Sequence, residues 1–176
     1  MASVWEFDYT NKHGVAESTL MLATMSGGHF YNGISDENID NGSVVVIDIE
    51  NYQEQDLIKV QKPTTKDKVC LVLTAPKIYE EYTKKQQEEA YFFNAAGEAM
   101  RVYEIYDTDR FTLSKEAFDE DALPEVGKYV VVKDNSFKLT TADHEPEGVG
   151  FVGKIYAQAN NGNYRVFVKR NRAVEA

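Results

Sequence analysis

The sequence predicts an α+β fold that is mainly β: a compact antiparallel β domain with one amphipathic helix, a short second helix and an extended N-terminal arm. Three observations carry this. Runs of β-branched and aromatic residues, bounded by Gly, Asn and Asp, recur at 44–48, 69–73, 100–106 and 129–133, which is strand composition. Asn161-Gly162 separates 155–157 from 164–168, and Asn-Gly between such runs is a strong hairpin signal. One segment, 78–89, instead places its apolar residues at helical spacing. The expected organisation is an arm over 1–37 and one β-rich domain over 38–176. In that domain two candidate related β units, 39–75 and 123–156, stand either side of a helical insert, 76–121.

In the arm, Trp5, Phe7 and Tyr9 alternate with Glu6, Asp8 and Thr10, a period of two that suits an extended strand. Asn11 to Gly14 is a turn signal, Leu20, Met21 and Leu22 are a small apolar cluster, and Ser26-Gly27-Gly28 and Asn32-Gly33 are further breaks. No sustained pattern closes a core here, so the arm either packs on its own domain or reaches a neighbouring subunit. The first β unit gives a strand after Gly42, a return at 57–60 and a third strand at 69–73. The second gives 129–133, a turn at Asp134, Asn135 and Ser136, a return at 137–140 and a third strand at 148–156. True repetition and the general likeness of two β meanders both fit this order.

Between the units, Pro76 suits a first helical turn. Ile78, Tyr79, Tyr82 and Gln86 share a face, and Glu80–Lys84 and Glu81–Lys85 have the favourable i,i+4 spacing, so a helix is expected over 78–89. Strands are expected at 100–106 and 111–113. Ser114 is then placed to cap a brief helix through Phe118, its hydroxyl accepting orphan amide N–H groups. Lys169, Arg170 and Arg172 form a basic tail, either a solvated end or a contact to an acidic partner.

Composition narrows the function. The net charge is −10, with 29 acids against 19 bases, which repels phosphate backbones and argues against a nucleic-acid partner. There is one cysteine, Cys70, so no intrachain disulfide forms, which fits assembly in a reducing cytosol. No apolar run approaches the roughly 18 residues of a membrane span, and the first residues lack the basic start and apolar run of a signal peptide. A soluble protein with no membrane partner is expected.

No catalytic constellation emerges. His13, His29 and His144 are isolated in loop contexts and are expected to be exposed; none has a second His at metal-ligand spacing. Cys70 lies inside an apolar strand, where a thiol acts as a small hydrophobe. Gly148, Gly150 and Gly153 formally fit G-x-G-x-x-G, but no helix or βαβ unit follows; they suit close backbone approach or a bulge. Asp107 and Asp109 lack the Gly and terminal Glu of a calcium loop. No enzyme activity, metal or cofactor is expected.

Several stretches taken together resemble the head decoration (auxiliary capsid) proteins of tailed bacteriophages. They are 79–97 (YEEYTKKQQEEAYFFNAAG), 100–105 (MRVYEI), 109–114 (DRFTLS), 126–130 (VGKYV) and 152–155 (VGKI). The resemblance covers about residues 70 to 168 and implies a small β-rich cap on the outer face of an icosahedral head. It implies the major capsid protein as partner, in many cases with the cap as a homotrimer. The place would be the virion surface, after synthesis in the host cytoplasm. An extended arm suits such a role through β-augmentation, and Trp5, Phe7 and Tyr9 are the expected capsid or subunit contacts. The alternative is a virion-surface adhesin whose exposed aromatics stack on host glycans.

Overall fold

The computed structural model describes residues 11–25, 27–53, 56–76 and 88–175. Its strands are β1 (Ala16–Leu20), β2 (Phe30–Ile34), β3 (Val44–Gln53), β4 (Leu57–Gln61), β5 (Cys70–Val72), β6 (Met100–Glu104), β7 (Arg110–Leu113), β8 (Tyr129–Val132), β9 (Leu139–Ala142), β10 (Phe151–Gln158) and β11 (Tyr164–Asn171). They form two sheets. One has six antiparallel strands in the order β1-β7-β11-β10-β8-β9. In the other, β2, β4, β3, β5 and β6 close into a barrel in which β2 runs parallel to β4 and the other pairs are antiparallel.

The uninterrupted apolar runs at 44–47 and 70–73 have a direct cause. Successive side chains on a strand point to opposite faces, and β5 and the first residues of β3 are covered on both. Val44, Val46, Leu71 and Leu73 pack toward the six-stranded sheet with Phe111, Leu139, Phe151 and Val166. Val45, Ile47, Cys70 and Val72 pack inside the barrel with Val60, Met100 and Val102. Each such side chain stabilises the fold by about 1.5–3 kcal/mol on full burial, so the shared wall locks barrel and sheet together.

In both β units the first strand lies between the other two: β3 between β4 and β5, and β8 between β9 and β10. The return strand of the second unit starts at Leu139, two residues later than 137–140 suggests. Phe137 instead packs on the barrel core, and its carbonyl accepts the Val44 N–H at 2.8 Å. The glycines at 148–153 serve backbone geometry. A Cβ on Gly150 would sit 2.3 Å from the Asp67 carbonyl oxygen and 2.9 Å from that of Arg172, where three chain segments cross.

The expected helices are the main correction. Among the described residues there is no α-helix. Residues 78–87 of the amphipathic segment lie outside the described residues; at its expected end Glu88 is extended, and Glu89–Tyr91 makes a single 3-10 turn. The second helix is one 3-10 turn, Lys115–Ala117. Ser114 does not cap it: its Oγ accepts the Val15 N–H at 3.0 Å, fastening the start of β1 beyond β7. Phe118 is 2 % exposed and bridges Leu139, so its extended backbone serves the core where another helical turn would withdraw it.

Residues 16–20 and 30–34, expected in the arm, are strands of the two sheets, because β1 pairs with β7 and β2 fits between β4 and β6. The C-terminal hairpin forms as the Asn-Gly signal indicates. Of the expected basic tail, Lys169 and Arg170 lie within β11 and only Arg172 follows it; Lys169 pairs with Glu145, and Arg172 with Asp107 at 2.8 Å.

Candidate functional site

Among the described residues, a surface trough lies on the outer face of the barrel. In the β2–β6 ladder Phe30 stands opposite Tyr103. Because side chains alternate, Met100 and Val102 enter the barrel core while Arg101 and Tyr103 share the outer face. The Phe30 and Tyr103 rings lie 6.0 Å apart, tilted by 49°. The Arg101 guanidinium carbon sits 4.4 Å from the centre of the Phe30 ring, a diagonal cross-strand contact of cation–π type.

These three side chains form one wall of a trough of about 580 Å³. The other walls are Ala23, Thr24 and Met25, at the 3-10 turn Leu22–Thr24, and Leu73, Thr74 and Ala75 after β5. The backbone beneath is fixed: the Arg101 N–H donates to Thr74 Oγ1 at 2.9 Å, and Leu73 N–H donates to the Arg101 carbonyl at 3.0 Å. The rim is apolar, with Phe30 51 % and Met25 54 % exposed. Leu20 and Leu22 are exposed close by in the chain, while Met21 between them is fully buried. A smaller groove of about 380 Å³ shares Leu73, Thr74, Ala75 and Tyr103 with the trough and extends to Ala16, Glu17 and Ser18. Those three belong to β1, an edge strand that pairs with β7 alone among the described residues. An edge of this kind presents main-chain N–H and C=O groups to a further strand.

Among the described residues Arg101 makes the closest cation–ring contact; Arg110 over Phe167 at 6.0 Å and Lys154 over Tyr129 at 5.2 Å are looser contacts of the same kind. Lys59 pairs with Asp36, Lys62 with Glu37, Lys133 with Asp119 and Lys138 with Asp40. Among the described residues no carboxylate lies within ion-pair reach of Arg101. It is a cation held in place by an aromatic ring, in an acidic chain.

Two polar clusters lie elsewhere. Glu104 Oε1 accepts the Tyr31 hydroxyl at 3.2 Å, Oε2 accepts Tyr106 at 2.6 Å, and Lys68 stands 3.5 Å away. Burial raises the Glu104 pKa, but the bonds from Tyr106 and Tyr31 and the Lys68 charge outweigh it and hold the carboxyl below its ordinary value. Burial and the Glu104 carboxylate push Tyr106 up to about 12. Both effects fix this group as an ionised acceptor between neutral phenols. The second cluster corrects an expectation: His13 is largely buried. Its ring lies 5.0 Å from that of Phe93, and Nδ1 is 2.7 Å from Asp40 Oδ1. His29 and His144 are exposed. Cys70 is buried, and desolvation raises its thiol to about 12.

Among the described residues no group of three or more His, Cys, Asp or Glu side chains is placed to hold a metal ion. No helix among them is long and apolar enough to cross a membrane. Trp5, Phe7 and Tyr9, the expected contact residues, lie outside the described residues. Sequence reasoning passed over Phe30, Arg101 and Tyr103. The signal was present in the alternation Met100-Arg101-Val102-Tyr103, which places a cation and an aromatic on one face of a strand. Comparison with protein-family models, curated proteins and solved structures finds no match to this chain.

Proposed function

We propose that the chain is a non-enzymatic structural virion protein that binds the outer surface of an icosahedral phage head, its major capsid protein being the partner. In this proposal it cements or decorates the head through the Phe30–Arg101–Tyr103 trough and the neighbouring β1 edge. The observation that supports the role best is the Arg101 guanidinium, stacked on a half-exposed Phe30 with no carboxylate among the described residues in reach. Such a group suits a partner carboxylate flanked by apolar surface. Arg–carboxylate bonds are charge-assisted, and the stacked ring adds about 0.5–1 kcal/mol while exposed and about 2 kcal/mol once desolvated. Phe, Tyr, Met and Arg are enriched in interface cores, and the trough brings all four together. The β1 edge offers main-chain pairing beside it. Trp5, Phe7 and Tyr9 remain the proposed anchors of the N-terminal residues.

The test mixes purified protein with undecorated expanded heads and counts bound copies. Saturable binding is expected. Arg101→Gln and Phe30→Ala should each weaken it by about tenfold while leaving the fold intact, and deletion of residues 1–12 should lower occupancy. No binding at micromolar protein, together with saturable binding on a glycan array, would replace this role with the adhesin.

A further inference from the structure

We infer that Asn161 is the site at which this protein deamidates spontaneously in its folded state. Asn-Gly pairs close to a succinimide readily, because glycine has no Cβ to obstruct attack by its own amide nitrogen. The chain contains three: Asn32-Gly33, Asn41-Gly42 and Asn161-Gly162. Sequence alone does not rank them; their surroundings do.

Asn41 is 5 % exposed and its side chain is held on both sides. Its Nδ2 donates to the Thr74 carbonyl at 2.8 Å, and its Oδ1 accepts the Thr74 N–H at 3.0 Å and the Asn94 amide at 3.1 Å. Asn32 lies within β2, paired to β4 on one side and β6 on the other, and Gly33 is buried against Val60 and Val102. Neither amide can swing onto the following nitrogen without breaking the Asn41 bonds to Thr74 and Asn94 or opening the β2 ladders. Asn161 and Gly162 are exposed at the tip of the β10–β11 hairpin, and the position a Cβ would occupy on Gly162 has no atom within 4 Å. The bonds that oppose reaction there are those of an exposed turn: Gly162 N–H donates to the Ala159 carbonyl at 2.9 Å, Asn163 N–H to Asn161 Oδ1 at 3.1 Å and Asn161 Nδ2 to Glu17 Oε1 at 3.5 Å, all where the ladder ends and opens most easily.

The chemistry needs only water. The Gly162 nitrogen loses its proton to solvent and bonds to Cγ of Asn161; the Cγ–Nδ2 bond breaks and ammonia leaves. Water then opens the succinimide at either carbonyl, giving aspartate or isoaspartate. Each event adds one negative charge, and its position matters: Asn161 Nδ2 stands 3.5 Å from Glu17 Oε1 of β1. The product exchanges a donor amide for a carboxylate facing a carboxylate, beside the edge strand.

Incubation of the intact protein at mildly alkaline pH, followed by peptide mapping with mass spectrometry, tests this. In the folded protein conversion at 161 should lead conversion at 32 and 41 by at least about tenfold. In urea-unfolded chain the three should convert at similar rates, which shows that structure, not sequence, sets the ranking. Gly162→Ala should suppress conversion at 161 in both states, so a change in the turn alone cannot explain the result. Comparable conversion at 32 or 41 in the folded protein, or undiminished conversion in Gly162→Ala, would overturn the assignment.

Discussion

Asn171, the last residue of β11, is expected to be among the most sensitive polar positions in the molecule. It is 6 % exposed. Its Oδ1 accepts the Val69 N–H at 2.9 Å, and its Nδ2 donates to the carbonyls of Val69 at 2.7 Å and Ile105 at 2.8 Å. One side chain therefore ties the last strand of the six-stranded sheet to the chain entering β5 and the chain leaving β6. Asn171→Ala leaves three buried main-chain groups without partners. At about 1 kcal/mol net per bond the loss is about 3 kcal/mol, before any cavity is counted. With a urea slope of about 2 kcal/mol/M, the unfolding midpoint should fall by about 1.5 M. Asn171→Asp preserves shape and the Val69 N–H bond but turns a carboxylate toward two carbonyls. Its loss should be at least as large at neutral pH and partly recovered in acid, where the protonated group donates once. Urea titration by circular dichroism gives the midpoint, and hydrogen exchange should show β5 and β11 amides losing protection together. A midpoint shift below about 0.5 M, or loss confined to β11, would refute the claim that this residue joins barrel and sheet.

Other consequences are as direct. Gly33→Val should cost about 1–3 kcal/mol in denaturant unfolding, since even its Cβ would lie 2.7 Å from Val102 Cγ2 and 3.0 Å from Val60 Cγ1; an unchanged midpoint would mean the barrel interior is loosely filled. Asp40 carries an acid dependence: burial raises its pKa, but the bond and charge of His13, the Gly14 N–H and Lys138 prevail and lower it. Its stabilising contribution is therefore complete above the ordinary aspartate range and lost as pH falls through the lowered folded value, so Asp40→Asn should flatten the acid limb of midpoint against pH. Cys70, buried with its thiol raised to about 12, should react with a maleimide only as fast as the native state opens, and labelling at the free-thiol rate would contradict that burial.

Strand positions were legible wherever one force dominated. Residues 129–132 and 155–168 followed from β-branched runs and an Asn-Gly turn, which are local signals. The double burial of β5 and the first residues of β3 was visible as unbroken apolar runs, but not which neighbour covered each face, since that depends on pairing at long range. The brief helix after Ser114 failed for the same reason. Its hydroxyl had a local role on paper and a distant partner in Val15, and one helical turn is too weak to resist the burial of Phe118. Asn171 went unnoticed inside a segment taken as a basic tail, because a lone Asn gives no sign of three main-chain partners far away in sequence. Arg101 was hidden differently: an unpaired cation is recognised only when its neighbours in space are known.

The trough and the β1 edge also differ in how much order a partner must supply. Arg101 and Tyr103 stand on β6, which is paired on both sides, Phe30 stands opposite Tyr103 at the start of β2, and the guanidinium already rests on its ring. Fixing a free, rotamer-rich side chain at an interface costs about 0.5–1.5 kcal/mol, and much of that is already met for Arg101 before any partner arrives. The edge gains affinity only as main-chain bonds form along β1, and a mobile partner segment must lose about 1–2 kcal/mol of backbone entropy for each residue ordered there. A partner that engages both would take orientation from the trough and length of contact from the edge. The charge introduced by reaction at Asn161 would fall on the edge, beside Glu17, and leave the Arg101 contact on the barrel untouched.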